Sequence, residues 1–110
     1  MQNKYKNKKT QVDMYVFDSA REAKRYKELK LLERVGEISN LELQPRFILQ
    51  DSFKKNGRTY RKIEYIADFK YIENGKIIVE DVKGLQTDVF KLKHKLFEKT
   101  YPDLELKIIT

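Results

Sequence analysis

The chain has 110 residues, with 24 Lys and Arg against 17 Asp and Glu, a formal net charge of +7 and a pI near 9.5. That length allows one compact domain with a real core, and the basic balance points to polyanionic partners, chiefly nucleic acid. The absence of cysteine excludes disulfides and thiolate metal sites, and the single histidine, His94, excludes a multi-histidine zinc centre, so any metal must take oxygen ligands, as suits Mg²⁺ or Mn²⁺. No apolar run reaches the length of a membrane span and no signal peptide is visible, so a cytoplasmic protein with no membrane partner is expected.

Residues 1–10 carry Lys4, Lys6, Lys8 and Lys9 and no acid, which reads as a flexible basic arm ahead of a single domain over 11–110. Phe17-Asp18-Ser19 leads into a predicted helix over about 19–35. Ala23, Tyr26 and Leu29 recur at helical spacing, Leu32 extends the stripe, and Gly36 supplies a stop. Leu41 to Phe53 is apolar-rich and extended, with Pro45 implying an edge or a bulge. Lys55-Asn56-Gly57-Arg58 is a hairpin turn, followed by predicted strands over 59–72 and 76–83. These two are joined by Glu73-Asn74-Gly75-Lys76, and Asn-Gly between alternating apolar runs is the strongest short hairpin signal. Thr87 and Asp88 then open a second helix, to about 99, with Thr87 as N-cap. Val89, Leu92 and Leu96 form its apolar stripe, flanked by Phe90 and Phe97. Tyr101-Pro102-Asp103 breaks the helix, and Leu104 to Ile109 is a last strand, parallel to a neighbour because it follows a helical crossover. The expected fold is α/β (α+β): an αβββαβ core with a mixed sheet and flanking helices.

Two acidic strand ends dominate the functional reading. One is Tyr65-Ile66-Ala67-Asp68-Phe69; the other is Ile77-Ile78-Val79-Glu80-Asp81-Val82-Lys83-Gly84. Successive strand residues face opposite ways, so Asp81 and Lys83 share one face while Glu80 and Val82 share the other. The hairpin brings Asp68 beside Asp81. Two carboxylates and a lysine at one end of a sheet make a divalent-metal site with a cation next to it, the equipment for phosphodiester hydrolysis. Asp is depleted from strand interiors, which sharpens the case for Asp68 as a ligand over a strand-end aspartate paired with a lysine. Glu80 is chemically equivalent to Asp81, but it points away from Lys83 and reads as structural. Glu22 carries two readings. Ser19-Ala20-Arg21-Glu22 is a capping box, yet Glu22 also shares the inward face of Tyr26 and Leu29. The second helix offers a free N-terminus for a phosphate, with Thr87, Lys91, Lys93 and Lys95 near it and Lys93 as the foremost contact. Arg58, Arg61 and Lys62 extend the basic surface, against the simpler reading of solvated lysine and arginine faces. His94, flanked by lysines, reads as a surface residue. Tyr60, Tyr65, Phe69 and Tyr71 alternate with basic residues, a pattern that fits core packing better than base stacking.

That element order, with Asp68 and Asp81-Val82-Lys83 on adjacent strands, resembles the PD-(D/E)xK nuclease superfamily, which includes restriction endonucleases and archaeal-type Holliday-junction resolvases. It looks most like a family of small phage-encoded endonucleases long catalogued as a domain of unknown function. The resemblance spans almost the whole chain: Phe17-Asp18-Ser19 with Glu22 and Tyr26, Gly36-Glu37-Ile38-Ser39, Leu41-Glu42-Leu43-Gln44-Pro45, Tyr65 to Phe69, Glu80 to Gly84, and Thr87. Ala67 stands where the superfamily's name has proline. The resemblance implies Asp68, Asp81, the Val82 carbonyl and Glu22 as ligands of Mg²⁺ or Mn²⁺. Lys83 would assist the attacking water, and Gln44 would orient water or phosphate. A chain too small to surround a duplex is expected to act as a homodimer, whose two sites suit paired nicks in branched DNA, and the resemblance implies a role in phage recombination inside a bacterial host. The other function class is a DNA-binding module that kept the fold without cutting. The acids weigh against that class, because carboxylates repel phosphates unless a metal intervenes.

Overall fold

The computed structural model describes residues 9–110. In chain order the elements are β1 (Thr10–Val12), β2 (Tyr15–Phe17), α1 (Ala20–Arg34), β3 (Ser39–Leu43), β4 (Arg46–Gln50), β5 (Phe53–Lys55), β6 (Arg58–Tyr60), β7 (Ile63–Ile66), β8 (Phe69–Glu73), β9 (Lys76–Val82), α2 (Asp88–Thr100) and β10 (Glu105–Ile109). The mixed α/β architecture is as expected, with a four-stranded sheet in the order β10-β9-β8-β3. β8 and β9 form the antiparallel Asn74-Gly75 hairpin, and β10 lies parallel to β9. Both turn residues have positive φ, 52° at Asn74 and 77° at Gly75, the backbone that a tight primed turn requires.

The helix signals translate directly into geometry. Ser19 caps α1 by accepting the Glu22 N–H at 3.1 Å. Gly36, at φ 85°, ends the helix, with Glu37 N–H returning to the Leu32 carbonyl at 2.9 Å. Thr87 caps α2 through Phe90 N–H at 3.1 Å. The two helices cover opposite faces of the sheet. Ala23, Tyr26 and Leu29 of α1 pack with Phe17, Ile38, Phe69, Tyr71 and Ile78. Phe90 and Phe97 of α2 pack with Phe47, Tyr65, Ala67 and Val79.

Several expectations are corrected. Residues 1–8 of the expected basic arm lie outside the described residues, while Lys9 pairs with Asp18 at 3.3 Å and Thr10 begins β1. The β1–β2 hairpin was not foreseen; it lies on α1, where Tyr26 Oη donates to Asp13 at 2.6 Å. The extended stretches 41–53 and 59–72 are each divided. Leu43 pairs with Phe69 and Arg46 with Ile66, so two residues on each strand bridge the break and no register is lost. Gln44 takes a left-handed φ of 50°, which bends the ladder there. On α2 the buried stripe is Phe90 and Phe97, whereas Val89 and Leu92 are 64% and 60% exposed. The larger aromatic rings, seven residues apart, took the sheet-facing side.

Candidate active site

β9 carries two buried carboxylates in succession, and pleating sends them to opposite faces of the sheet. Glu80, fully buried, faces α1. Arg25 grips it with two N–H groups, Nε to Oε1 and Nη2 to Oε2, both at 2.7 Å. Tyr71 Oη donates to the same carboxylate. This bidentate pairing makes Glu80 structural, as its orientation implied.

Asp81, 2% exposed, faces α2. Its Oδ2 accepts from Tyr65 Oη, and Lys83 Nζ stands 3.5 Å from Oδ1. The Lys83 ammonium also lies 4.7 Å from the centre of the Phe90 ring, which fixes it over α2. Asp68 occupies the bend between β7 and β8, one residue beyond the Phe69–Glu80 pair. Its backbone is tied on both sides: its N–H donates to Glu80 O at 3.0 Å and its carbonyl accepts from Gln44 N–H at 2.9 Å. Its Oδ2 accepts from Val82 N–H at 2.7 Å, and its carboxyl is within hydrogen-bonding reach of Asp81. The break in the strand is therefore what turns Asp68 onto Asp81.

These groups border an open cleft of about 590 Å³, lined by Glu22, Arg21, Asp68, Asp81, Lys83 and Thr87, with Asp18, Ser19, Val82, Gly84 and Leu85 completing it. The N-termini of both helices reach it, adding partial positive charge. Glu22 fulfils half of each reading. Its amide completes the Ser19 cap, while its buried carboxylate is engaged with Asp68 and lies in the field of Asp81.

The electrostatics are those of crowded anions. Burial pushes the Asp68 carboxyl up to about 8, helped by the charges of Asp81 and Glu22 and opposed by the Val82 N–H. Burial also raises Glu22, with Asp18 and Asp81 adding to it. Tyr65 is held well above the usual phenol range by burial and by Asp81, so it stays a proton donor. Unlike Glu80, this cluster has no arginine ion-paired to it among the described residues.

The other sequence-predicted residues divide. Thr87 lines the cleft. Val82 lines it too, and its N–H orients Asp68. Gln44 does not line it: its side chain is exposed, and its contribution to the site is the bend and the amide bond to Asp68. Lys91 and Lys95 are exposed on α2 away from the cleft lining. Lys93, the foremost expected contact to a DNA or active-site phosphate, lies outside the cleft lining and borders a second groove with Arg61, Lys62, Ser52, Thr59, Glu64 and Ile66. Arg58 belongs to the β5–β6 hairpin. His94 pairs with Glu98 at 3.2 Å and stacks on Phe90. Sequence reading missed Arg21, whose proximity to Gly84 only the fold reveals, and the hydrogen bond of Tyr65 to Asp81, since core packing was the favoured reading of that ring.

Among the described residues no three His, Cys, Asp or Glu side chains form a ready-made metal cage. The donor set nonetheless fits a hard divalent cation. Mg²⁺ is commonly held by one or two carboxylates, with water and substrate phosphate filling the shell, and Asp68 with Asp81 supplies that pair with Glu22 beside it. A cation there would relieve the repulsion that raises Asp68.

Fold and site together describe a mixed α/β protein with an acidic cleft at the end of its central hairpin. The chain matches, over residues 2–110, the model of a family described as "Protein of unknown function (DUF1064)", and it belongs to that family. A comparison with curated proteins finds no match. No helix among the described residues is long and apolar enough to cross a membrane.

Proposed function

We propose that this chain is a metal-dependent DNA endonuclease of the PD-(D/E)xK type, working as a homodimer on branched DNA such as a four-way junction. The observation that carries this reading is buried Asp81 beside half-buried Asp68, with Lys83 Nζ 3.5 Å from Asp81 and no arginine ion-paired to either among the described residues. Asp68 and Asp81, with Glu22 at their side, would hold Mg²⁺ or Mn²⁺, which when bound activates water and offsets charge on the phosphate. Tyr65 fixes the Asp81 carboxylate by donating to Oδ2, and Val82 N–H fixes Asp68. Lys83 orients the attacking water and steadies the negative charge developing on the phosphate oxygens. Arg21 and the N-terminus of α2 bind flanking phosphates. Water adds to phosphorus, the bond to the 3′ oxygen breaks, and that oxygen leaves with a proton, giving 5′-phosphate and 3′-hydroxyl ends. The net charge of +7 supports a polyanionic substrate.

The test is incubation with labelled four-way junction and matching linear duplex, in Mg²⁺ and in EDTA, alongside Asp81→Ala. Metal-dependent nicking of the junction, lost in the variant, is expected. Equal cutting of both DNAs would remove the preference for branches. Binding without cleavage in either Mg²⁺ or Mn²⁺ would overturn the enzyme in favour of a binding module.

A further inference from the structure

The β5–β6 hairpin stands apart from the rest of the molecule. It forms its own two-stranded sheet, and every residue from 51 to 62 is exposed. An isolated hairpin is marginal in water, so its sequence bears on what it is for. Within this stretch Lys54, Lys55, Arg58, Arg61 and Lys62 face one carboxylate, Asp51. Of these cations only Lys62 is ion-paired among the described residues, with Glu64 at 3.3 Å.

The register sorts these side chains. Phe53 pairs with Tyr60, Lys54 with Thr59 and Lys55 with Arg58. Alternation therefore puts Phe53, Tyr60, Lys55 and Arg58 on one face. The two rings stack nearly parallel, at 4.8 Å and 9°, yet are 45% and 39% exposed. Toward the tip, the Arg58 guanidinium lies 5.4 Å from the Tyr60 ring centre. With Tyr60 covered by Phe53 and Arg58, the outer face of Phe53 is left to extend the stack, and an unstacked base there with its phosphates on the neighbouring cations matches this chemistry. The excess of five cations over one carboxylate in this stretch favours a polyanion over a protein surface.

We propose that this face of the β5–β6 hairpin binds single-stranded DNA, with a base extending the Phe53–Tyr60 stack on the outer face of Phe53 and phosphates held by Lys55 and Arg58. The proposal deepens the nuclease reading, on which its choice of DNA rests, and names what lets the chain recognise a branch: the base faces left unstacked at the branch point.

The experiment is fluorescence anisotropy with the full chain in EDTA, which removes cleavage, using a labelled single strand and a labelled blunt duplex. The double variant Phe53→Ser/Tyr60→Ser is expected to weaken single-strand binding about 10-fold or more and duplex binding by less than about 2-fold. The conservative pair Phe53→Tyr/Tyr60→Phe keeps the stack and should restore binding. Lys55→Ser/Arg58→Ser leaves the rings in place and should lower the salt dependence by one or two phosphate contacts. Unchanged single-strand affinity in the ring variant, equal losses on both DNAs, or an unchanged salt slope would overturn the proposal. Because binding is read without metal, the two readings fail separately. A protein that cuts DNA but binds single strands without the hairpin loses only this proposal. Hairpin-dependent binding by a protein that never cuts would sink only the nuclease.

Discussion

Glu80 and Asp81 are consecutive, both buried and both anionic, yet their surroundings are opposite. On the α1 face, Arg25 and Tyr71 close on Glu80 and raise the Arg25 pKa above its ordinary value, chiefly through the Glu80 hydrogen bond. On the α2 face, Asp81 meets another carboxylate, and the nearest cation, Lys83, reaches only one of its oxygens at 3.5 Å. The difference teaches that burial alone does not mark a functional carboxylate. A buried acid with its counter-charge holds the fold together. A buried acid crowded by other acids destabilises it, and persists where an external cation is to be received.

The strongest way to break this contrast is to neutralise each acid in turn. Asp81→Asn should lower metal-dependent cleavage by roughly 1000-fold, the loss of several kcal/mol of transition-state stabilisation, while leaving folding intact. Both are checked on one preparation, by single-turnover cleavage and circular dichroism. Glu80→Ala should do the reverse. Removing one partner of a buried pair leaves Arg25 with only the more exposed Glu28 and should cost about 3 kcal/mol of stability, measured by urea unfolding. Cleavage by the fraction still folded should stay within several-fold of the parent.

A pH series sharpens the comparison at a smaller scale. Asp68 is raised from 3.8 to about 8, so between those values the folded chain holds a proton that the unfolded chain has released. Stability of the metal-free protein should therefore fall as pH rises from about 4 to about 8 and level off above. Asp68→Asn should flatten that slope and raise the neutral-pH melting temperature by roughly 4 °C or more, read by thermal melts across the series. Addition of Mn²⁺ should stabilise the parent and not the variant. The smallest effect is expected at Gly84→Ala. The new Cβ would meet Arg21 Nη1 at 3.0 Å, the far end of a flexible side chain, so stability should stay within about 0.5 kcal/mol. Any loss of cleavage there would report displaced Arg21.

Much of this was legible in the chain because the signals are local. Asn74-Gly75 and Asn56-Gly57 carry turn chemistry in two residues. Ser19 and Gly36 bracket α1, and Ala23-Tyr26-Leu29 marks its buried face. The pairing of Asp81 with Lys83 followed from strand alternation. What stayed hidden depends on partners distant in sequence. Arg25 meets Glu80 across 55 residues, and nothing in either segment announces the other. Of the two strand breaks, the one at Gln44-Pro45 is signalled by Pro45, whereas the matching break at Ala67-Asp68 has no local mark and follows from the pairing of the strands. On α2, spacing admitted Val89-Leu92 as readily as Phe90-Phe97, and the sheet's aromatic surface at Phe47 and Tyr65 decided for the rings. The sequence left open whether Lys93 serves the cleft or the wider basic surface, and the helix directs it into the groove with Arg61 and Lys62.

The central claim is that the Asp68–Asp81 pair receives a divalent cation. Its most direct test is isothermal titration of Mn²⁺ into the metal-free protein and into Asp81→Asn, near neutral pH. The account predicts saturable binding by the parent, proton release on binding as Asp68 ionises, and loss of that binding in the variant. Binding that Asp81→Asn leaves unchanged, or no binding by the parent with or without DNA, would contradict it.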